Sequence, residues 1–267
     1  MVKVFIDPGH GGSDPGAVGN GIEEKNITLQ IATQIRDILL AEYENVSVQM
    51  SRTGDQTVSL NERTNTANNW NADFFLSVHI NSGGGSGFES FVYPGVGRPT
   101  VTYQELIHQK VLKQVQFNDR GLKQSSFHVL RESNMDAILT ESGFIDHSGD
   151  AGKLESSGFL EDLARGHAYG IADAFGLPKK ANVSNQQPSQ SSTTANELFR
   201  VQIGAFKDRE NAEKVLEKAK VSGFQAYLRQ ENNFYKVQIG AFSVRNNAEE
   251  LQARANAIGL NAVIVIE

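Results

Sequence analysis

The sequence predicts an α/β domain with a mostly parallel sheet and helices on both faces, followed by a small α+β domain. Three observations predict this. Short apolar, β-branched runs at Val2–Ile6, Ala72–Asn81 and Asp136–Glu141 alternate with stretches of helical period, the pattern of buried strands joined by crossover helices. Residues 178–196 are polar, rich in Ser, Thr, Gln and Asn and nearly free of large apolar side chains, so they read as a flexible linker. Beyond it, Val-Gln-Ile-Gly-Ala-Phe at Val201–Phe206 returns at Val237–Phe242, 36 residues later. Two copies are too few for a solenoid and indicate one compact domain.

Val2–Ile6 runs into Asp7-Pro8-Gly9-His10-Gly11-Gly12-Ser13-Asp14-Pro15-Gly16-Ala17. The turn places His10 at the carboxyl end of the first strand, where ligands gather in open α/β sheets. Its glycines do not make a phosphate cradle. Neither Gly-Lys-Ser/Thr nor G-x-G-x-x-G is present, and a histidine with two aspartates suits a cation better. From Glu24 a helix is expected, with Ile27, Ile31, Ile35 and Ile38 as its apolar stripe. Glu23 and Glu24 lie in its first turn, where the helix dipole favours carboxylates; periodicity does not choose between them.

Val46–Met50 alternates as a strand, and Ser51–Asp55 is a loop before a helical segment over Ser59–Trp70. The apolar strand Ala72–Asn81 carries His79 near its carboxyl end. Gly83–Gly87 is a loop, Phe88–Tyr93 is extended, and Tyr103–Phe117 is an amphipathic helix. A third short strand, Asp136–Glu141, ends in a carboxylate, and Phe159–Phe175 closes the domain as a helix. His108, His128, His147 and His167 read as structural. A parallel sheet would gather His10, His79 and Glu141 on one edge, with Glu24 entering from the helix after the first strand. Two histidines and a carboxylate with a fourth position open form a common catalytic zinc arrangement. A further carboxylate beside it is what water activation needs.

Composition narrows the chemistry. There is no cysteine, so thiolate sites and disulfides are excluded and any zinc must be held by His, Asp or Glu. Residues 1–177 carry 13 basic against 22 acidic side chains, a net of −9, and residues 178–267 carry 12 against 9, a net of +3. That excess is too small to suggest nucleic acid. No stretch approaches the ~18 apolar residues of a membrane span, and the N-terminus lacks the charged and apolar regions of a secretion signal. The expectation is a protein cytoplasmic as synthesised, without membrane insertion.

In the C-terminal part, residues 197–267, each copy of the repeat is a strand followed by a helix (Asn211–Lys220; Asn247–Ile258) and a second strand (Gln225–Arg229; Ala262–Ile266). That is a ferredoxin-like β-α-β-β-α-β order, a four-stranded antiparallel sheet backed by two helices.

Over about residues 2–176 the chain resembles the zinc-dependent N-acetylmuramoyl-L-alanine amidases of the amidase 3 type. The likeness rests on Asp-Pro-Gly-His-Gly-Gly at 7–12, Glu-Lys at 24–25, Ser-Arg-Thr-Gly-Asp at 51–55, Ser-Val-His-Ile-Asn at 77–81, Val-Leu-Arg at 129–131 and Glu-Ser-Gly-Phe-Ile at 141–145. The resemblance implies one zinc held by His10, Glu24 and His79, resolving the choice between Glu23 and Glu24. It makes Glu141 the catalytic residue and Arg131 and Asn81 candidate substrate contacts. The implied reaction is hydrolysis of the amide between N-acetylmuramic acid and L-alanine of the peptidoglycan stem peptide. About 60 residues separate His79 from Glu141, with one loop, one extended segment and one helix expected among them. That leaves no long helical insertion over the metal, so no activator protein is expected.

The C-terminal repeat resembles SPOR domains, which bind peptidoglycan glycan strands. The resemblance makes Gln202, Phe206, Tyr235, Gln238 and Phe242 candidate glycan contacts. Together these features describe a wall hydrolase, a prophage endolysin or a mother-cell lysis enzyme of sporulation. A catalytically inert wall-binding protein, or a zinc peptidase or deacetylase acting on peptidoglycan, are the alternatives.

Overall fold

Side chains of the first strand alternate between two cores, and that alternation organises the larger unit. The computed structural model describes residues 1–180, 199–222, 224, 226–242 and 245–266. In β1 (Val2–Pro8), Val4 and Ile6 join one cluster of buried side chains while Phe5 joins another. Both faces are covered, as an unbroken apolar strand requires.

The chain continues through the short hairpin β2 (Val18–Gly19) and β3 (Ile22–Glu23) to α1 (Glu24–Glu42) and β4 (Val46–Met50). Then come α2 (Leu60–Trp70), β5 (Phe74–Asn81), β6 (Phe88–Val92), α3 (Thr100–Gln114), β7 (Asp119–Gln124) and α4 (His128–Arg131). β8 (Asp136–Phe144), α5 (Ser148–Leu154) and α6 (Ser157–Phe175) complete the unit. The sheet order is β4-β1-β5-β8-β6-β7. β4, β1, β5 and β8 run parallel, β6 turns back against β8, and β7 pairs parallel to β6. The sheet is mostly parallel, as expected, with one antiparallel junction.

Helices α1, α3 and α6 cover one face, burying Ile31, Ile107 and Leu163 against Leu76 and Val78. α2 and α4 cover the other, where Ala67, Val129 and Leu130 meet Phe5, Phe75 and Leu139. Ser59 caps α2 by accepting from Glu62 N at 3.2 Å, while Glu62 Oε2 accepts from Ser59 N at 2.8 Å. The segment between His79 and Glu141 holds more than expected: β7 and the single-turn α4. Asp-Arg-Gly-Leu-Lys-Gln escapes an apolar-pattern search because β7 is an exposed edge, where charge discourages pairing with another chain.

The contacts divide the chain between Asn185 and Gln186. The expected linker began at Pro178, yet Pro178–Lys180 pair with the end of α1. Glu44 N donates to Pro178 O at 2.8 Å and Lys180 N to Glu42 O at 2.9 Å. The rest of the expected linker lies outside the described residues.

The second unit comprises β9 (Phe199–Phe206), α7 (Arg209–Val221), β10 (Tyr227–Glu231), β11 (Phe234–Phe242), α8 (Arg245–Ala257) and β12 (Val263–Ile266). Its antiparallel sheet has the order β10-β11-β9-β12, so the repeated strands lie side by side at its centre. Val201, Ile203, Val237 and Ile239 pack on Ala212 and Ala219 of α7 and Ala248 and Ala255 of α8. The β-α-β-β-α-β expectation is met. No helix among the described residues is long and apolar enough to cross a membrane.

Ile35 of α1 is fully buried. Ile35→Ala is expected to cost about 2–5 kcal/mol through lost burial and the cavity left behind. The loss should appear as a lower denaturation midpoint in the fluorescence of Trp70, the chain's one tryptophan.

Candidate metal and active site

The site begins with backbone geometry. His10 follows the end of β1 with φ at +61°, the left-handed region that costs a non-glycine residue energy and must be held from outside. Two buried arginines hold it. Arg63 of α2 donates through Nη1 to Asp7 Oδ1 at 2.6 Å and Pro8 O at 2.8 Å, and through Nη2 to His10 O at 2.7 Å. Arg52 donates through Nη2 to Gly9 O and Lys25 O, both at 2.8 Å, tying the loop to the first turn of α1. Asp7 itself accepts from Ser51 Oγ at 2.6 Å and Ser77 Oγ at 2.8 Å. Burial and then the nearby Arg63 charge depress the Arg52 guanidinium to about 10.

On this frame three donors converge. One ligand atom from each of His10, Glu24 and His79 lies within 4.8 Å of the others. Glu24 Oε2 is 3.1 Å from His10 Nε2, and Oε1 is 3.0 Å from His79 Nδ1. Each Glu24 oxygen also accepts a backbone N–H at 2.9 Å, Oε2 from Ala17 and Oε1 from Ile80. Asp14 Oδ2 lies 2.9 Å from His10 Nδ1, orienting the ring so that Nε2 faces the cluster. Space for this packing comes from glycine. A Cβ on Gly9 would lie 2.3 Å from His79 Cε1, and one on Gly16 would lie 2.6 Å from Glu24 Oε2.

Electrostatics favour positive charge among the donors. Burial alone would lower the pKa of His10, but hydrogen bonds and charge from Glu24, then Asp14, outweigh it and raise the pKa to about 9. His79 is likewise raised against its burial, chiefly by Glu24. Burial opposes ionisation of Glu24, yet its bonds to the two histidines lower its pKa well below the usual range. A pocket that stabilises added protons in this way also suits a cation.

Glu141 of β8 stands level with His79 of β5 in the parallel register. Its Oε2 is enclosed and has no hydrogen-bond partner. Burial, aided by the charges of Glu24 and Glu89 and opposed by that of His79, pushes it up to about 7. His10, His79 and Glu141 share a cavity of about 500 Å³ with His128, Leu60 and Phe127. The last two are 54% and 36% exposed, so the cavity has an apolar mouth.

A family model described as N-acetylmuramoyl-L-alanine amidase matches residues 4–173. The chain belongs to this family. A SPOR domain model matches residues 179–230 and 195–266. A sporulation-specific N-acetylmuramoyl-L-alanine amidase of Bacillus subtilis (strain 168) is 58% identical over 226 residues, 85% of this chain and 84% of that protein. An endolysin of Bacillus phage SPP1 is 40% identical over 71% of this chain and 73% of its own. The catalytic domain of the amidase CwlV from Bacillus (Paenibacillus) polymyxa var. colistinus superposes with a TM-score of 0.63 at 30% identity, covering 67% of this chain and all (100%) of that one.

Other candidate residues of the amidase domain lie apart from the cavity. Asn81 donates to Glu89 Oε1 at 2.9 Å, and Glu89 in turn holds Arg120 at 2.7 Å. Arg131 turns back on its own segment, donating to Ser126 O at 3.1 Å and Ser126 Oγ at 3.2 Å. Neither lines the cavity. His108, bonded to Ser90 and Asp119, and the fully buried His167, bonded to Leu163 O and Thr140, are structural as read. Burial pushes His167 down to about 4. His147 caps α5.

His128, also read as structural, lines the cavity instead. Sequence reading missed it, together with the roles of Asp14, Arg52 and Arg63; the one signal was two arginines near a glycine-rich turn.

In the SPOR domain, Gln202 alternates with the core residues Val201 and Ile203, which places it on the sheet face away from the core, and its cross-strand partner is Gln238. Gln238 is buried, with Oε1 lacking a partner. Phe206 and Tyr235 pack against the core cluster, and the Phe242 side chain lies outside the described residues.

Removing the Arg63 charge tests the frame. Arg63→Met leaves Asp7 buried without its cation and is expected to destabilise the amidase domain by about 3–5 kcal/mol. A fall in the Trp70 unfolding midpoint measures it.

Proposed function

We propose that this amidase hydrolyses the amide joining the lactyl group of N-acetylmuramic acid to L-alanine of the stem peptide, using one zinc held by His10, Glu24 and His79. The observation that carries the reading is the convergence of these donors beside the unpartnered Glu141 Oε2. The donor set fits zinc: two imidazole nitrogens and one carboxylate, with a ring oriented by a second carboxylate, leave further positions for water and substrate. Zinc bound there supplies Lewis acidity to the scissile carbonyl and to the attacking water. Glu141 takes the proton from that water as the new C–O bond forms. It then returns the proton to the alanine nitrogen as the C–N bond breaks. A carboxyl pushed towards neutrality suits both steps.

The SPOR domain is assigned to glycan strands, with Gln202 as the first candidate on the outer face and Gln238, Phe206, Tyr235 and Phe242 as lesser ones. Holding the enzyme on its polymer raises the effective substrate concentration without new catalytic contacts. The higher identity to the sporulation-specific relative, 58% against 40% for the phage endolysin, favours a role in sporulation. The wall would then be reached on lysis of the producing cell. No activator protein takes part in this reading, so the purified chain should act alone.

Purified peptidoglycan digested by the purified protein should yield new L-alanine amino termini without new reducing sugars, abolished by chelator and restored by zinc. Cleavage within the stem peptide or release of acetate would keep a metal hydrolase but change the reaction. Wall binding without cleavage would leave an inert binding protein. Glu141→Gln is expected to retain zinc while losing about 10²–10⁴-fold in turnover; near-normal turnover would remove Glu141 from the proton transfers.

A further inference from the structure

The cavity contains a polar side chain with an unpartnered atom that the reaction has not used. His128 lines it beside His10, His79 and Glu141, and its Nε2 is enclosed without a hydrogen-bond partner. The chain has six histidines. Both ring nitrogens of His10, His108 and His167 have partners, and His79 and His147 are each bonded through Nδ1. A buried polar atom left unpaired is unfavourable, and a recurring reason for keeping one is a ligand that completes it.

The segment bearing His128 is also fixed in place. Arg131 pins it from behind through Ser126. Leu130 N and Arg131 N donate to Phe127 O at 3.1 and 3.0 Å, closing the single turn of α4. From α2, Asn68 Nδ2 donates to Glu132 O and Asn68 Oδ1 accepts from Asn134 N, both at 2.9 Å. Val129 and Leu130 are buried in the core beneath. A backbone held this firmly fixes the point from which the His128 ring enters the cavity, which limits the reorganisation needed when charge develops in front of it, a condition for electrostatic stabilisation of a transition state.

We propose that His128 is a further catalytic residue of this amidase, its Nε2–H hydrogen-bonding the carbonyl oxygen of the scissile amide as that oxygen gains negative charge. His128 forms no covalent bond and transfers no proton. The assignment rests on the amidase reading above.

The test measures kcat and KM on a soluble N-acetylmuramoyl-peptide for the wild type, His128→Phe and His128→Gln. Zinc content and Tm are determined on the same preparations. His128→Phe fills the space without a donor and is expected to lower kcat about 100-fold with KM little changed, the mark of an interaction made in the transition state. His128→Gln retains a side-chain N–H and should recover a substantial part of that loss. Wild-type kcat in folded, zinc-replete His128→Phe overturns the proposal, as does a raised KM with kcat intact. Lost folding or lost zinc in both variants overturns it in favour of a structural role. Amide cleavage by the wild type keeps the amidase reading in each of these cases; its absence overturns both readings together.

Discussion

The site depends on a buried ion pair, Arg63 with Asp7, whose nitrogen and oxygen lie 2.6 Å apart. The pair is largely enclosed, so its value lies less in net stability than in the geometry it specifies. Asp7 is the last side chain of the first strand before the Pro-Gly turn, and Arg63 reaches past it to the carbonyls of Pro8 and His10. His10 can therefore hold a backbone conformation it would not choose alone. With the carbonyl of His10 fixed by Arg63 and its ring fixed by Asp14, one nitrogen is left for Glu24. Arg52 extends the same logic to α1, bonding the carbonyls of Gly9 and Lys25 and so setting the distance between the turn and the helix that carries Glu24.

The sheet supplies the remaining order. β1, β5 and β8 are parallel neighbours, so their carboxyl ends bring two imidazoles and a carboxylate to one edge from positions far apart in sequence. That edge was legible in the sequence because His10, His79 and Glu141 each end an apolar run, and polar residues there are costly unless used. The choice of Glu24 over Glu23 was not legible from periodicity. It follows from tertiary contacts, the backbone N–H groups of Ala17 and Ile80 that meet its two oxygens.

Other features were hidden for physical reasons that can be named. β7 has an edge strand's charges, so it lacks the apolar signal that marked the central strands. Pro178–Lys180 looks like linker by composition, but its backbone pairs with Glu42 and Glu44, and composition does not report backbone hydrogen bonds. His128 is followed by Val129 and Leu130, which pack inward, and a lone histidine in an apolar run is usually a core residue. Its unpaired nitrogen is visible only once the surrounding atoms are placed. In the SPOR domain, register shifts on either side of Gln238 disturb simple alternation, so the facing of its neighbours could not be read by counting.

Two carboxylates stand within reach of the same histidines, and their surroundings push them in opposite directions. Glu24 is buried but paired with His10 and His79 and supplied with two backbone donors, so its charge is favoured. Glu141 is buried with an oxygen that meets no donor, and its neighbours Glu24 and Glu89 add negative charge. The first is suited to hold a cation and the second to hold and release a proton. Separation of pKa values by environment, rather than by residue type, is how one site can assign distinct roles to chemically identical groups. Here the separation depends on Glu24 keeping both histidines to itself. It keeps them because the arginine frame delivers His10 to one of its oxygens and β5 delivers His79 to the other.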